Sequence, residues 1–196
     1  MNINEIITAS LKESHSTLEK IYNNDQFISS IEKASECLID TYKSNGKILL
    51  AGNGGSAADC QHIWAELVGR LNFDRKPLSA IALTTNSSNL TCISNDYGYD
   101  HVFVRQMEAL ALSHDSLIVY TTSGTSKNIL SLIEQARKKL KYIISLTGQN
   151  TQQLQKYSDV VISVDSKKTT RIQEIHAIVG HILCECVEEK LFENLK

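Results

Sequence analysis

Five short apolar runs, each closed by small or hydroxyl-bearing residues and separated by helical patterns, constrain this chain more than any other feature. Lys47-Ile48-Leu49-Leu50-Ala51 runs into Gly52-Asn53-Gly54-Gly55-Ser56, and residues 78–85 (LSAIALTT), 116–123 (SLIVYTTS), 142–148 (YIISLTG) and 160–165 (VVISVD) read as four further strands. Helical periodicity occupies 57–71, 102–112, 128–140 and about 170–195. Strands that are apolar on both faces need cover on both faces, so the pattern predicts an α/β sandwich: a five-stranded parallel sheet with helices on each side and right-handed crossovers. Ahead of it, residues 3–23 (Ile6, Ile7, Leu11, Leu18, Ile21) and 27–44 (Ile28, Ile31, Leu38, Ile39, Tyr42) predict two amphipathic helices with no evident role in the sheet. The 196 residues are read as one domain, with an N-terminal helical oligomerisation segment (1–45) followed by the parallel α/β core and C-terminal helix (46–196).

Composition narrows the function classes. Twenty basic and 22 acidic side chains leave a net charge of -2, with no general pull toward nucleic acid or an acidic membrane surface. No apolar run approaches the roughly 18 residues of a membrane span. The start, MNINEIITASLKES, lacks the basic and apolar regions of a secretory signal, so a cytoplasmic location is expected. The five cysteines, Cys37, Cys60, Cys92, Cys184 and Cys186, have no paired C-x-x-C spacing and read as reduced core thiols.

Ligands of open parallel sheets collect at the carboxyl ends of the strands. Here those ends read Gly52-Asn53-Gly54-Gly55-Ser56, Thr84-Thr85-Asn86-Ser87-Ser88 and Thr121-Thr122-Ser123-Gly124-Thr125-Ser126. Any one of these could be a helix cap alone. Three hydroxyl-rich ends in succession point to anion binding by backbone N–H groups, hydroxyls and a helix N-terminus, with the third loop as the best phosphate cradle. Gly52-x-Gly54-x-x-Ala57 fits a relaxed dinucleotide fingerprint, but Thr-Thr-Asn stands where an acidic ribose ligand belongs, and no G-x-x-x-x-G-K-[ST] is present. His62 and Glu66, four apart, share a helix face in a spacing that suits a shared metal or a proton-transfer pair, or a minor helix-stabilising contact. Gln173, His176 and His181 sit among Ile172, Ile175, Ile178, Val179, Ile182 and Leu183, where a polar side chain needs a partner.

Four stretches, AGNGGSAADCQHIWAELVGR (51–70), IALTTNSSNLTCISNDYGYDHVFVRQMEAL (81–110), TSGTSKNIL (122–130) and TTRIQEIHAIVGHILCECVE (169–188), resemble the phosphoheptose isomerases, proteins built on the sugar isomerase (SIS) domain. The resemblance covers nearly the whole chain, including the leading helices. It implies a SIS-type three-layer αβα sandwich. The activity it implies is interconversion of sedoheptulose 7-phosphate and D-glycero-D-manno-heptose 7-phosphate, the first step of ADP- or GDP-heptose synthesis for lipopolysaccharide core or capsule. By the same resemblance, Asn53, Gly54 and Gly55 match a substrate loop, Asn95 and Asp96 a second substrate contact, and Thr121, Thr122, Ser123 and Ser126 the phosphate loop. His62, Glu66, Gln173 and His181 match ligands of one zinc ion per subunit, with Glu66 and Gln173 also on the substrate and Glu66 and His181 the catalytic pair. The family forms homotetramers. Thr125 stands where the family usually has asparagine, and Cys60 and Trp64 replace residues commonly small or aromatic there; the ligand set is intact.

The chemistry agrees. Aldose–ketose isomerisation needs a base for a carbon-bound proton, a proton donor and an electrophile, which Glu66, His181 and a zinc ion would supply. A carboxylate on zinc is a weaker base than a free one, so either Glu66 leaves the metal or zinc raises the substrate's acidity to compensate. Gln173 and His181 are roughly 12 Å apart along a regular helix, too far to share one ion comfortably. Gln173 is therefore expected at or before the helix start, or the two come from different chains in an active site at a subunit interface. The competing reading is a non-catalytic SIS-domain protein, one that binds a sugar phosphate or associates with a replication initiator. Retention of Glu66 and His181 with the full ligand set favours the enzyme.

Overall fold

The computed structural model describes residues 1–195. Two helices lead, α1 (Ile3–Tyr22) and α2 (Asp25–Lys43). The chain then runs through β1 (Ile48–Gly52), α3 (Gly55–Val68), β2 (Ala80–Ala82), α4 (Ser87–Tyr97), α5 (Val102–Leu110), β3 (Ser116–Thr121), α6 (Lys127–Ala136), β4 (Tyr142–Thr147), β5 (Val160–Ser163) and α7 (Thr169–Leu191). All five strands are parallel, in the order β2-β1-β3-β4-β5. The chain moves outward from β1 to β2 and then returns to β3, so the crevice of the sheet lies between the carboxyl ends of β1 and β3.

Alternate residues of each strand feed two separate cores, which is why both sets of positions are apolar. On one face Leu50, Tyr120 and Leu146 pack with Leu38 of α2, Ile63 and Leu67 of α3, and Val179 and Leu183 of α7. On the other, Leu49, Val119 and Ile143 pack with Phe103 and Met107 of α5 and Leu132 and Ile133 of α6. The three-layer sandwich is therefore the fold the apolar runs predict.

Three local differences from the sequence reading have physical causes. The second strand is three residues long instead of spanning 78–85, because after Ala82 the chain turns, with Thr85 Oγ1 donating to the Ala82 carbonyl (3.0 Å). There Asn86 caps an unanticipated helix, α4, by accepting from the Asn89 N–H (2.9 Å). That helix buries only Ile93, so it has almost no apolar period to detect. Finally, α2 does not stand apart from the sheet: Phe27, Ala34, Cys37 and Leu38 lie in the core and the Thr41 hydroxyl shares a hydrogen with Ser116 of β3 (2.5 Å). Only α1 is outside. It buries no residue and exposes Ile3, Ile6, Ile7 and Leu11. Its middle is held by polar contacts, through Arg171, which donates to the Ser10 carbonyl (2.7 Å) and to the Ser14 hydroxyl, and through the Lys168–Glu13 ion pair (2.7 Å), while Ile21 near its end packs against the core.

All five cysteines are free; Cys37, Cys60 and Cys184 are buried, Cys186 is half-buried, and Cys92 lies exposed on α4 instead of in the core. Among the described residues no helix is long and apolar enough to cross a membrane.

Candidate active site and metal centre

The β1 strand ends in a turn that only glycine adopts without strain: Gly54 has φ 57° and is followed at once by α3. About two and three turns into α3, His62 and Glu66 fall on the same face, with His62 Nε2 3.2 Å from Glu66 Oε1. The third member comes from α7. A Cβ on Gly180 would stand 2.7 Å from Cδ1 of Ile63, so the absence of a side chain lets α7 settle onto α3 beside His62. The next residue, His181, then places Nε2 3.3 Å from His62 Nε2, with the two rings edge to face at 80°.

One ligand atom each from His62, Glu66 and His181 lies within 4.8 Å of the others. Two imidazole nitrogens that face each other can share at most one proton, whereas a cation among them uses both lone pairs and the carboxylate together. Two nitrogens and one oxygen, on a centre left partly open by the half-exposed His62 (49% exposed), are the donor set of a divalent transition metal with free positions for substrate. The residues fit a metal ion.

Of the two positions expected for Gln173, the structure removes one. The residue lies inside α7, which begins at Thr169 with Lys168 as its N-cap, so Gln173 is not at or before the helix start. Its amide rests on the turn into α3, where a Cβ on Gly55 would be 2.3 Å from Nε2 and would push the amide aside. His181 stands eight residues further along the same unbroken helix.

The phosphate loop is shaped by its own glycine and by a residue of the loop that follows β4. Gly124 has φ 65° and packs against the Asn150 carbonyl, which a Cβ would approach to 2.1 Å. Asn150 in turn donates from Nδ2 to the Ser123 carbonyl (2.9 Å). Thr121 is buried and accepts from the Gly124 N–H (3.2 Å), while Ser123 Oγ accepts from the Thr125 N–H (3.2 Å) and lies 3.3 Å from Ser126 Oγ. Ser126 occupies the N-cap of α6 without spending its hydroxyl on a cap bond. A helix N-terminus whose first N–H groups receive no side-chain cap, with the Ser123 and Ser126 hydroxyls beside it, is an anion site. Beside it a cleft of about 420 Å³ opens between Thr122, Ser123, Asn150, Lys167 and Thr169.

Asn53 forms a reciprocal amide pair with Asn128 of α6, both bonds 2.9 Å, and accepts from the Tyr99 hydroxyl at 3.2 Å. Asn95 and Asp96 sit exposed near the end of α4, hydrogen-bonded to each other (2.8 Å); among the described residues they make no hydrogen bond to the triad. His176 is a core histidine: Nε2 lies 3.3 Å from the Thr147 carbonyl, and burial lowers its pKa to about 4 against the opposing pull of that carbonyl. Burial likewise raises Asp59, whose Oδ2 has no partner, although nearby His62 works the other way. Burial pushes the Cys60 thiol far up and takes Cys184 to about 12, so neither is a nucleophile at neutral pH. Asn128, Asn150, Arg75 and Glu188, which hold these parts in place, escape sequence reading because each works through a contact more than 20 residues away along the chain; the nearest signal was the general need of a buried polar side chain for a partner.

The SIS domain family matches residues 11–148. The phosphoheptose isomerase of Sulfurimonas denitrificans is 45% identical over 186 residues, 95% of each chain, and phosphoheptose isomerase 2 of Campylobacter jejuni is 45% identical over 191 residues, 97% of this chain and 95% of that one. The solved phosphoheptose isomerase of Neisseria gonorrhoeae superposes with a TM-score of 0.89 at 35% identity, covering 96% of this chain and all of that one. The chain belongs to the SIS-domain phosphoheptose isomerases and is an isomerase.

Proposed function

We propose that this isomerase interconverts sedoheptulose 7-phosphate and D-glycero-D-manno-heptose 7-phosphate through an enediol, with zinc as its metal. The observation that carries the reading is the convergence of His62, Glu66 and His181 at the carboxyl edge of a sheet that also carries a phosphate loop. The loop from Thr121 to Ser126 holds the phosphate, while Asn53, Gly54, Gly55, Gln173, Asn95 and Asp96 hold the sugar chain. Zinc, one per subunit on His62, Glu66 and His181, would polarise the carbonyl as a Lewis acid. Glu66 takes the proton from the carbon next to the carbonyl and His181 carries protons between the oxygens, so that the proton returns to the neighbouring carbon.

Gln173 joins the metal site of a partner or contacts substrate from its place over Gly55, since roughly 12 Å of helix rise separates it from His181. The assembly is a homotetramer with the active site near subunit interfaces. Two features support it: the exposed apolar face of α1, and an apolar groove of about 760 Å³ between α2 and α7, lined by Ile28, Ile31, Ile39 and Ile182. The location is the cytoplasm, and the product feeds ADP- or GDP-heptose synthesis for lipopolysaccharide core or capsule. A non-catalytic binding module would have no use for the three convergent metal donors.

The test is incubation of the purified, zinc-loaded protein with sedoheptulose 7-phosphate. An aldoheptose 7-phosphate is expected; binding of the ketose with no turnover at any metal loading overturns the reading in favour of a binding module.

A further inference from the structure

Asn53 is the point at which three separate stretches of the site meet. It leaves β1 at the start of the Gly54-Gly55 turn; its partner Asn128 is the second residue of α6, directly after the phosphate loop; and Tyr99 follows the helix that ends beside Asn95 and Asp96. A carboxamide has two N–H donors and two oxygen lone pairs. On Asn53, Nδ2 gives one hydrogen to Asn128 Oδ1 (2.9 Å), while Oδ1 accepts from Asn128 Nδ2 (2.9 Å) and from the Tyr99 hydroxyl (3.2 Å). Both lone pairs are thereby used, and one N–H remains. Asn128 is buried, so its amide has no solvent to exchange with, whereas Asn53, at the carboxyl end of β1 beside the crevice, is only half-buried.

Resting on the isomerase reading above, we propose that Asn128 and Tyr99 are positioning residues. They hold Asn53 as a single N–H donor to an oxygen of the sugar phosphate and tie the phosphate loop to the Gly54-Gly55 turn, so that both ends of the substrate are set by one rigid junction. Neither residue touches the substrate. A misdirected Asn53 amide would offer the sugar a lone pair in place of a hydrogen, and a substrate displaced by an ångström reacts far more slowly.

The test is a double-mutant cycle in the full-length, metal-loaded protein, with Asn53→Ala, Asn128→Ala, Tyr99→Phe and the pairs Asn53→Ala/Asn128→Ala and Asn53→Ala/Tyr99→Phe. The readouts are kcat/KM for sedoheptulose 7-phosphate and calorimetric affinity for inorganic phosphate. Expected are a fall in kcat/KM of at least about tenfold for Asn128→Ala and about threefold for Tyr99→Phe, with phosphate affinity held within about threefold. In the Asn53→Ala background each second substitution should change kcat/KM less than about twofold, because its only target is gone. Equal losses in both backgrounds, or no loss in the wild-type background, overturn the proposal. If Asn128→Ala does not fold, the Tyr99→Phe cycle decides, since Tyr99 is exposed. Wild-type turnover reports on the isomerase reading separately. If the wild type binds the heptulose phosphate without converting it, the same cycle is scored on affinity, and a wild type that does not bind it at all overturns both.

Discussion

Arg75 joins the two helices of the metal centre. Its Nε donates to Glu188 Oε1 of α7 (2.8 Å) and its Nη2 to the backbone carbonyl of Glu66 on α3 (2.8 Å), with both charged side chains sealed from solvent. Glu188 also accepts from the Leu71 and Asn72 N–H groups (3.2 and 2.8 Å), and Arg75 gives further bonds to the carbonyls of Leu67 and Gly69. A fully bonded buried pair of this kind fixes the spacing of α3 and α7, and hence the approach of His181 to His62 and Glu66.

Removing one partner leaves the other charge buried without compensation. Glu188→Ala should therefore lower the unfolding free energy by about 3–5 kcal/mol. Urea unfolding measures this, and affinity for a divalent metal ion in the variant should fall with it as the helices drift apart. A variant as stable as wild type would show that water compensates the guanidinium.

Stability should fall on mild acidification, because His176 is buried neutral. Its pKa is about 4 when folded and near 6.5 when unfolded, so the unfolded chain binds the extra proton first. Its contribution is complete above about pH 6.5 and declines as pH falls toward 4, a loss of about 3 kcal/mol. Asp115 acts in a lower window. Burial disfavours its charge, but hydrogen bonds from the Lys47 ammonium and from the Leu112 and Lys47 N–H groups outweigh that and hold its pKa below the usual range, so its contribution fades only as pH falls through that depressed value. Urea midpoints of wild type and His176→Phe between pH 7 and 4.5 should converge as pH falls; parallel curves would remove His176 as the cause.

The sheet was legible because Leu49/Leu50 and Val119/Tyr120 feed opposite cores, so the strands read as unbroken apolar runs. The triad was legible in part: His62 and Glu66 share a face by local helix geometry, but the approach of His181 depends on the crossing at Gly180, a tertiary contact that no spacing encodes. The same limit hid α4, whose apolar face is a single isoleucine, and the junction at Asn53, whose partner lies 75 residues away. The helix rule set Gln173 and His181 roughly 12 Å apart along a regular helix and left two alternatives, of which a position at or before the helix start is removed because Gln173 lies inside α7. The unbroken run of α7 leaves Gln173 over Gly55.

The phosphate loop gives a binding prediction. Ser126→Ala should weaken affinity for the phosphorylated substrate by about 1–2 kcal/mol, the range for a hydrogen bond to a charged group, and leave stability nearly unchanged because the hydroxyl caps nothing. Calorimetry with the phosphate ester checks it; unchanged affinity would move the phosphate elsewhere, the neighbouring cleft beside Lys167 being next.

Assembly can be tested on α1. Its Ile3, Ile6, Ile7 and Leu11 are exposed, so Ile7→Glu with Leu11→Glu should leave the fold of one chain intact while shifting the light-scattering mass from four chains to fewer, with loss of activity. A fully active wild-type monomer would refute both the tetramer and the shared active site.

The division of labour between Glu66 and His181 is the sharpest test of chemistry. Glu66→Gln keeps the size of the side chain and an oxygen donor but removes the base, so turnover should fall at least about a hundredfold while the fold survives. His181→Gln should abolish turnover as well, with some loss of metal, because the same ring would serve as metal ligand and proton carrier. In deuterated water the wild type should place deuterium on the carbon alpha to the carbonyl, and this exchange should vanish in Glu66→Gln. Comparing exchange with net turnover separates the two roles: a His181 variant that still exchanges but does not isomerise keeps its base and has lost the proton carrier between the oxygens. A Glu66→Gln protein that isomerised at the wild-type rate would exclude Glu66 as the base, and Asp96, exposed near the end of α4, would be the next carboxylate to replace.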